Sequence, residues 1–197
     1  MISRTALAAH AILGTTASLS FMPFLGFSVA CCIRVGQALG ELKPVEAQRS
    51  YHVSMAVTLL LIAFNTAIVL GGRSFWGEIF TDDVQVSAVV ANTMPLLAGY
   101  TVFDGIQCVS TGALRGLSQP GPAAAINVFS YVAIGLPAAY TLALPAGLEL
   151  GLPGIWLGFI IAVLVASLCM SGFILRTDWA AKAKEARDRG LKPAGGH

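Results

Sequence analysis

Five long stretches that are apolar and nearly free of charge restrict the folds available to this sequence. A helix that crosses a membrane needs about 20 mostly apolar residues. Because backbone groups in lipid must pair with one another, such segments fold as α-helices, and these stretches lack the alternation typical of barrel strands. We expect spans at about residues 6–33, 51–70, 86–114, 123–145 and 152–175.

The composition agrees with a lipid environment. Of the 197 residues, 56% are hydrophobic and 11% are charged, whereas a soluble domain carries about 25% charged residues. We therefore predict an all-α, polytopic membrane helix bundle, integral to the plasma membrane or an organellar membrane. Residues 1–176 form its membrane domain and residues 177–197 a tail, expected to be a short amphipathic helix followed by disorder. No nucleic-acid partner is expected.

The basic residues predict how the chain lies in the membrane. Ten of the twelve Lys and Arg residues fall in the connection after the first span, the connection after the third span, or the tail. The other two are Arg4 and Arg73. Because cytoplasmic loops carry an excess of Lys and Arg, we expect the N-terminus outside and the C-terminus in the cytoplasm. This orientation requires an odd number of spans, as predicted.

One acidic residue, Asp104, lies deep within a predicted span, while the other nine Asp and Glu residues lie in loops or the tail. A carboxylate at the centre of a bilayer costs about 2.5–3.5 kcal/mol on insertion scales. Such residues usually face the bundle interior or a water-filled cavity, and mark functional sites. The alternative is a structural aspartate that forms hydrogen bonds between helices.

Polar neighbours extend along the same face of this helix. At about 100° per residue, Tyr100, Gln107 and Thr111 fall near the face of Asp104, and Thr101 lies at its edge. We predict that these residues line a cavity. Desolvation disfavours the charged form of a carboxyl group, so Asp104 can hold a proton and pair with a cation once ionised. A cation/proton exchanger requires such a group.

Helix-breaking residues interrupt three of the predicted spans. Pro23 lies in the first span, Pro95 in the third, and Gly135 and Pro137 in the fourth. A proline inside a helix removes a hydrogen bond and kinks the helix, and interrupted helices are typical of transporters. We predict kinks at these four positions.

No catalytic constellation accompanies Asp104. The sequence contains no phosphate-binding loop, nucleophile elbow or metal motif, and its four cysteines are not spaced for zinc. We expect no metal and no cofactor. A membrane-embedded enzyme is the least favoured class, because one acid without a base, nucleophile or metal is not a reaction centre.

Several segments, in this order, resemble the C-terminal half of the multidrug and toxic compound extrusion (MATE) family, most closely its eukaryotic branch. They are "AAHAI", "GFSVACCIRVGQALGELKPVEAQRS", "IFTDD", "GALRGLSQPG", "INVFSYVAIGLP" and "RTDW". The resemblance implies that the five spans correspond to the eighth to twelfth helices of the family. It also implies a twelve-span protein whose two lobes rock around a central cavity and export organic cations or other toxic compounds in exchange for H⁺ or Na⁺.

The resemblance also implies roles for individual residues. Asp104 falls where the family carries an acidic residue in its tenth helix, which couples cation and substrate. Thr15 lies near a position in the eighth helix where animal members carry another carboxylate, so it becomes a further cavity-lining candidate. The chain is then expected to be a fragment of a twelve-helix protein. Its expected partners are an organic cation-like small molecule, H⁺ or Na⁺, the lipid bilayer, and an N-lobe or a second copy.

Two other functions remain open at this point. A related flippase for lipid-linked oligosaccharides would need Arg and Lys in its cavity to bind pyrophosphate, whereas no basic residue lies deep within a span. A non-transporting membrane scaffold or regulatory fragment would act by associating with a full-length partner.

Overall fold

The computed structural model describes residues 4–144 and 148–191, and every regular element in these ranges is helical. This confirms the prediction of an all-α bundle. Between α2 and α3 lies a short 3₁₀-helix, Gly77–Ile79, and a π-helical segment, Phe129–Gly135, joins α4 to α5. The α-helices are α1 Arg4–Gly40, α2 Pro44–Gly72, α3 Val84–Gly116, α4 Pro120–Val128, α5 Leu136–Ala143, α6 Leu152–Leu175 and α7 Trp179–Leu191.

Five helical stretches are long and apolar enough to cross a membrane, as predicted; α4, the π segment and α5 together form the fourth. The first two are longer than the sequence suggested. The helix α1 continues through "RVGQALG" to Gly40, and α2 begins at Pro44. A proline fits the first turn of a helix because the backbone N–H groups of that turn have no acceptor within the helix. Hydropathy detects the apolar middle of a helix and misses such polar ends.

The tail begins with a helix, α7, as the sequence predicted. The disorder expected after it concerns residues 192–197, which lie outside the described residues, as does Pro145 at the predicted end of the fourth span. The α7 residues Trp179 and Ala183 are buried in one hydrophobic cluster with side chains of α1, α2, α3 and α6. The tail helix is therefore packed against the bundle.

The third span, α3, lies at the centre of the bundle. It begins at the N-cap residue Asp83, whose carboxylate accepts hydrogen bonds from the backbone N–H groups of Gln85 (2.8 Å) and Val86 (3.4 Å). From there α3 packs against α1, α2 and α6 along its length. A residue in the middle of α3 is consequently surrounded by protein on several sides.

Small residues allow α1 and α3 to approach closely. A Cβ atom built on Gly112 would lie 2.6 Å from the Ser28 hydroxyl oxygen, and one built on Gly116 would lie 2.7 Å from the Cys32 carbonyl oxygen. The Ser28 hydroxyl donates a 2.6 Å hydrogen bond to the Cys108 carbonyl across the same contact. Helix association in membranes depends on such close backbone packing, because lipid tails are as apolar as the helix surface.

The outer surface of the bundle suits contact with lipid. On α2, Leu60 is 73% exposed and Phe64 is 66% exposed. Side chains this large and apolar, left uncovered in a row along one helix, fit acyl chains rather than water.

The predicted kink positions differ in what they do to the helices. The helical structure of α1 continues through Pro23 and that of α3 through Pro95, so neither proline ends its helix. The fourth span does change its hydrogen-bond pattern, because the π segment ends at Gly135 and Pro137 lies in the first turn of α5. Kinking itself stays a prediction at all four positions.

Candidate functional site

The single carboxylate of the third span, Asp104, is buried, with 8% of its surface exposed. Tyr100 lies one turn earlier on the same face of α3, and its hydroxyl interacts with the Asp104 carboxylate. A nearby polar group of this kind helps a buried charge to be tolerated. The i, i+4 spacing expected from the sequence therefore brings these two groups together.

A chain of polar groups leads from Asp104 to the fourth span. The hydroxyls of Tyr100 and Tyr131 lie close enough to interact. Tyr131 donates a hydrogen bond to Gln107 Oε1 (3.2 Å), and Gln107 Nε2 donates one to Asn127 Oδ1 (2.6 Å). The amide of Gln107 thus connects two side chains of the fourth span to the helix that carries Asp104.

The position of Tyr131 depends on the π segment, in which it lies. Pro137 follows two residues after this segment and has no N–H to donate to the carbonyl one turn earlier. The helix widens before the proline and returns to α geometry at Leu136. Such π turns are rare and occur frequently at functional sites.

Aromatic rings hold the other side of Tyr100. Its ring meets that of Trp156 on α6 edge to face, with centroids 5.8 Å apart, and Trp156 meets Phe159 in the same way at 5.9 Å. The ring of His10 on α1 also contacts Trp156, at 5.9 Å. Edge-to-face pairs of this kind are favourable and directional, so they restrict the Tyr100 side chain that binds Asp104.

The remaining predicted cavity residues form hydrogen bonds mainly within their own helices. Thr111 donates to the Gln107 carbonyl (2.8 Å) and lies 3.3 Å from Met170 Sδ of α6. Thr101 is buried and donates to the Ala98 carbonyl, while Thr15 is exposed on α1 and donates to the Ala11 carbonyl. Tyr131 thus binds Gln107 and interacts with Tyr100, which in turn interacts with Asp104. Whether these residues line a transport cavity stays a prediction.

Sequence reasoning missed the partners on the fourth span, Asn127 and Tyr131. The two residues are spaced i, i+4 within an apolar run, which places them on one face of a helix. A polar pair at this spacing in an apolar run was the sequence signal that could have identified them. Sequence reasoning also missed Trp156, because nothing in the sequence distinguishes a packing tryptophan from one that positions a functional tyrosine.

The arrangement can bind one positive charge. Within residues 4–144 and 148–191, Asp104 has no Lys, Arg or His in an ion pair with it, and no group of three His, Cys, Asp or Glu side chains could hold a metal ion. A buried carboxylate without a basic partner must hold a proton or meet a cation from elsewhere.

Replacing Gln107 with leucine should destabilise the chain by about 1 kcal/mol, the lower end of the cost of an unsatisfied polar group, because it leaves the half-buried side chains of Asn127 and Tyr131 without this partner. The free energy of unfolding in detergent micelles, from denaturant titration, measures this effect. Gln85→Leu is the matched control, since Gln85 is exposed at the start of the same helix. Equal stability of the two variants would contradict the proposed linkage.

Comparison with known proteins identifies the family. The family model described as MatE matches residues 1–141 of this chain. The chain belongs to the MATE family. Together with the five membrane-length helices, this makes it an integral, multi-pass membrane protein from a family of transporters rather than enzymes.

Individual relatives agree with this assignment. The chain is 34% identical to multidrug and toxin extrusion protein 2 of Homo sapiens over 192 residues, which cover 95% of this chain and 31% of that protein. It is 35% identical to multidrug and toxin extrusion protein 1 of Mus musculus over 181 residues, which cover 92% of this chain and 32% of that protein. The chain therefore spans about a third of the length of the curated relatives that it matches.

A solved structure shows the same fold. The crystal structure of the eukaryotic MATE transporter AtDTX14 superposes on this chain with a TM-score of 0.91 at 25% identity, covering 95% of this chain and 42% of that one. These matches confirm the resemblance inferred from the sequence segments, and they are consistent with the C-terminal half of the fold.

Proposed function

We propose that this chain supplies the C-lobe helices of a MATE-type antiporter that exports organic cations in exchange for H⁺ or Na⁺. The observation that supports the proposal most directly is the buried Asp104, which interacts with Tyr100 and has no basic partner among the described residues. The names of the human and mouse relatives agree with a role in extrusion.

We further propose the orientation expected from the basic residues, in which the α1–α2 connection and the tail face the cytoplasm. Ten Lys and Arg residues then lie on the cytoplasmic side and two on the outer side. The helix α7 packs against the end of α1 and the start of α2. This contact is compatible with the proposed orientation, because the tail and the α1–α2 connection then lie on the same side of the membrane.

Coupling follows from competition for one carboxylate. A proton and a cation cannot both neutralise Asp104, so each lowers the affinity of the other reciprocally. The Tyr100 hydroxyl remains available as a donor when the proton leaves, and the Gln107–Tyr131 link joins any movement of α3 at this level to the fourth span. A proton gradient then drives the cation in the opposite direction.

Proton release on cation binding tests the proposal directly. Adding tetraethylammonium or Na⁺ to the purified chain in weakly buffered detergent should release protons in proportion to the amount of chain, which a pH-sensitive dye records. Asp104→Asn should abolish the release. Asp82→Asn is the matched control, since Asp82 is an exposed acid in the loop before α3.

Two results would count against the proposal. One is release that persists in Asp104→Asn, which would place the exchanging group elsewhere. The other is the absence of any release by the unaltered chain with either cation, which would favour a non-transporting scaffold.

A further inference from the structure

A groove of about 770 Å³ lies between α1 and α2, on the flank of the bundle near their connection. Its charged half, nearest the connection, contains Arg34 of α1 and Arg49 of α2. Its apolar half, deeper along both helices, is lined by Phe27, Ala30, Val53 and Val57.

The groove changes from charged to apolar along its length. Eight residues separate Arg49 from Val57, which corresponds to about 12 Å along a helix. The face of α2 continues into the exposed apolar side chains of Leu60 and Phe64. A molecule that matches this surface has a charged end and an apolar chain at least as long as the groove.

The charged half of the groove carries a small net positive charge. Two acids, Glu41 and Glu46, line it beside the two arginines, and the ammonium group of Lys43 lies 2.8 Å from Glu41 and 3.9 Å from Glu46, so three basic and two acidic groups leave a net charge of +1. The hydrogen bond from Lys43 lowers the pKa of Glu41. Among the described residues, neither Arg34 nor Arg49 has an ion pair or a side-chain hydrogen bond.

We propose that this groove binds an anionic glycerophospholipid. Arg34 and Arg49 bind the phosphate of the headgroup, and one acyl chain lies along the apolar half. Guanidinium groups suit phosphate because they donate paired hydrogen bonds, and basic pockets between spanning helices on the cytoplasmic side are known to recognise anionic headgroups.

The features of the groove favour a lipid over a protein segment. It opens on the flank where α2 exposes the large apolar side chains of Leu60 and Phe64, and its arginines lie toward the ends of the helices, where a spanning helix would reach the headgroups. The site itself does not depend on the proposed antiport. The choice of leaflet, by contrast, rests on the proposed orientation. That orientation assigns the site to the cytoplasmic leaflet, where anionic lipids concentrate.

Native mass spectrometry of the purified 197-residue chain tests the proposal, with phosphatidylglycerol and phosphatidylcholine of identical acyl chains as probes. The unaltered chain should retain phosphatidylglycerol preferentially. Each arginine near an anionic headgroup contributes about fivefold in affinity, so Arg34→Gln with Arg49→Gln should weaken phosphatidylglycerol binding by about 25-fold. Binding of phosphatidylcholine should change little.

A charge-matched control separates this site from general electrostatics. The double variant Arg4→Gln with Arg73→Gln also removes two exposed arginines, but from the opposite end of the bundle. It should keep the preference for phosphatidylglycerol. The proposal is overturned if both double variants lose binding equally, if the unaltered chain has no preference, or if a second copy of the chain occupies the groove in place of lipid.

A second variant tests the apolar half. Ala30→Phe places a ring in the groove and should reduce phosphatidylglycerol binding, whereas Ala56→Phe, at an exposed position of α2 outside the groove lining, should not. Circular dichroism of each variant confirms that the helices are intact. Competition by soluble glycerol phosphate as strong as that by the intact lipid would contradict any role for the acyl chain.

Discussion

In the antiporter whose C-lobe helices we propose this chain supplies, replacing Asp104 with asparagine should reduce proton-driven uptake of tetraethylammonium into inside-out vesicles to the level of vesicles without the transporter. Asparagine has nearly the same shape, and it can still accept a hydrogen bond from Tyr100 through its amide oxygen. It can neither take up a proton nor acquire a negative charge, so the exchange of H⁺ for a cation loses its shared site. The measurement is radiolabelled uptake driven by an imposed pH gradient.

Two comparisons make this result specific. Asp104→Glu retains a titratable group but shifts it by one methylene from the Tyr100 hydroxyl, so we expect uptake that is reduced but still dependent on the gradient. Asp82→Asn should transport like the unaltered chain. Gradient-driven uptake by Asp104→Asn at an unreduced rate, with equal amounts of protein in the membrane, would exclude Asp104 as the coupling group.

Replacing Gly112 with valine should prevent the bundle from assembling. The added side chain would collide with the Ser28 backbone and hydroxyl of α1. The collision with backbone atoms can be relieved only by moving α1 as a whole. Overpacking costs about 1–3 kcal/mol where side chains can adjust, and we expect at least the upper end of this range here. Fluorescence-detected gel filtration and thermal unfolding in detergent measure the loss.

The same substitution at another glycine provides the control. Gly26 lies in α1, and a Cβ atom built there would have no neighbour within 4 Å. Gly26→Val therefore removes the same residue type from a helix interior without a collision. If Gly112→Val elutes and unfolds like Gly26→Val, the close crossing of α1 and α3 does not limit the stability of the chain.

The parts of the candidate site that lie on a single helix could be predicted from the sequence. Tyr100, Asp104 and Gln107 share a face because helical periodicity is local, and hydropathy alone marks Asp104 as exceptional. Asn127 and Tyr131 come from another span, so their role depends on how α3 packs against the fourth span and on the turn at which the π segment widens. Neither is encoded in a local pattern.

The same distinction applies to the fold. Five spans follow from apolar length, which depends only on the thickness of the bilayer. The burial of Trp179 and Ala183 from α7 does not follow, because a short charged helix has the same amphipathic pattern whether it lies on lipid or on protein. The groove between α1 and α2 was likewise hidden, since its two arginines were counted only as cytoplasmic charges.

The π segment of the fourth span stores one surplus residue in its widened turn. A helix can lose such a turn only by passing the extra residue to one end, and this would rotate the helix on that side by about 100° relative to the other. Tyr131 lies within the segment, so the same step would move its hydroxyl away from Gln107 and Tyr100. Loss of the π turn would therefore change the contact between α3 and the fourth span, whereas the glycine contacts between α1 and α3 leave these two helices little room to shift against each other.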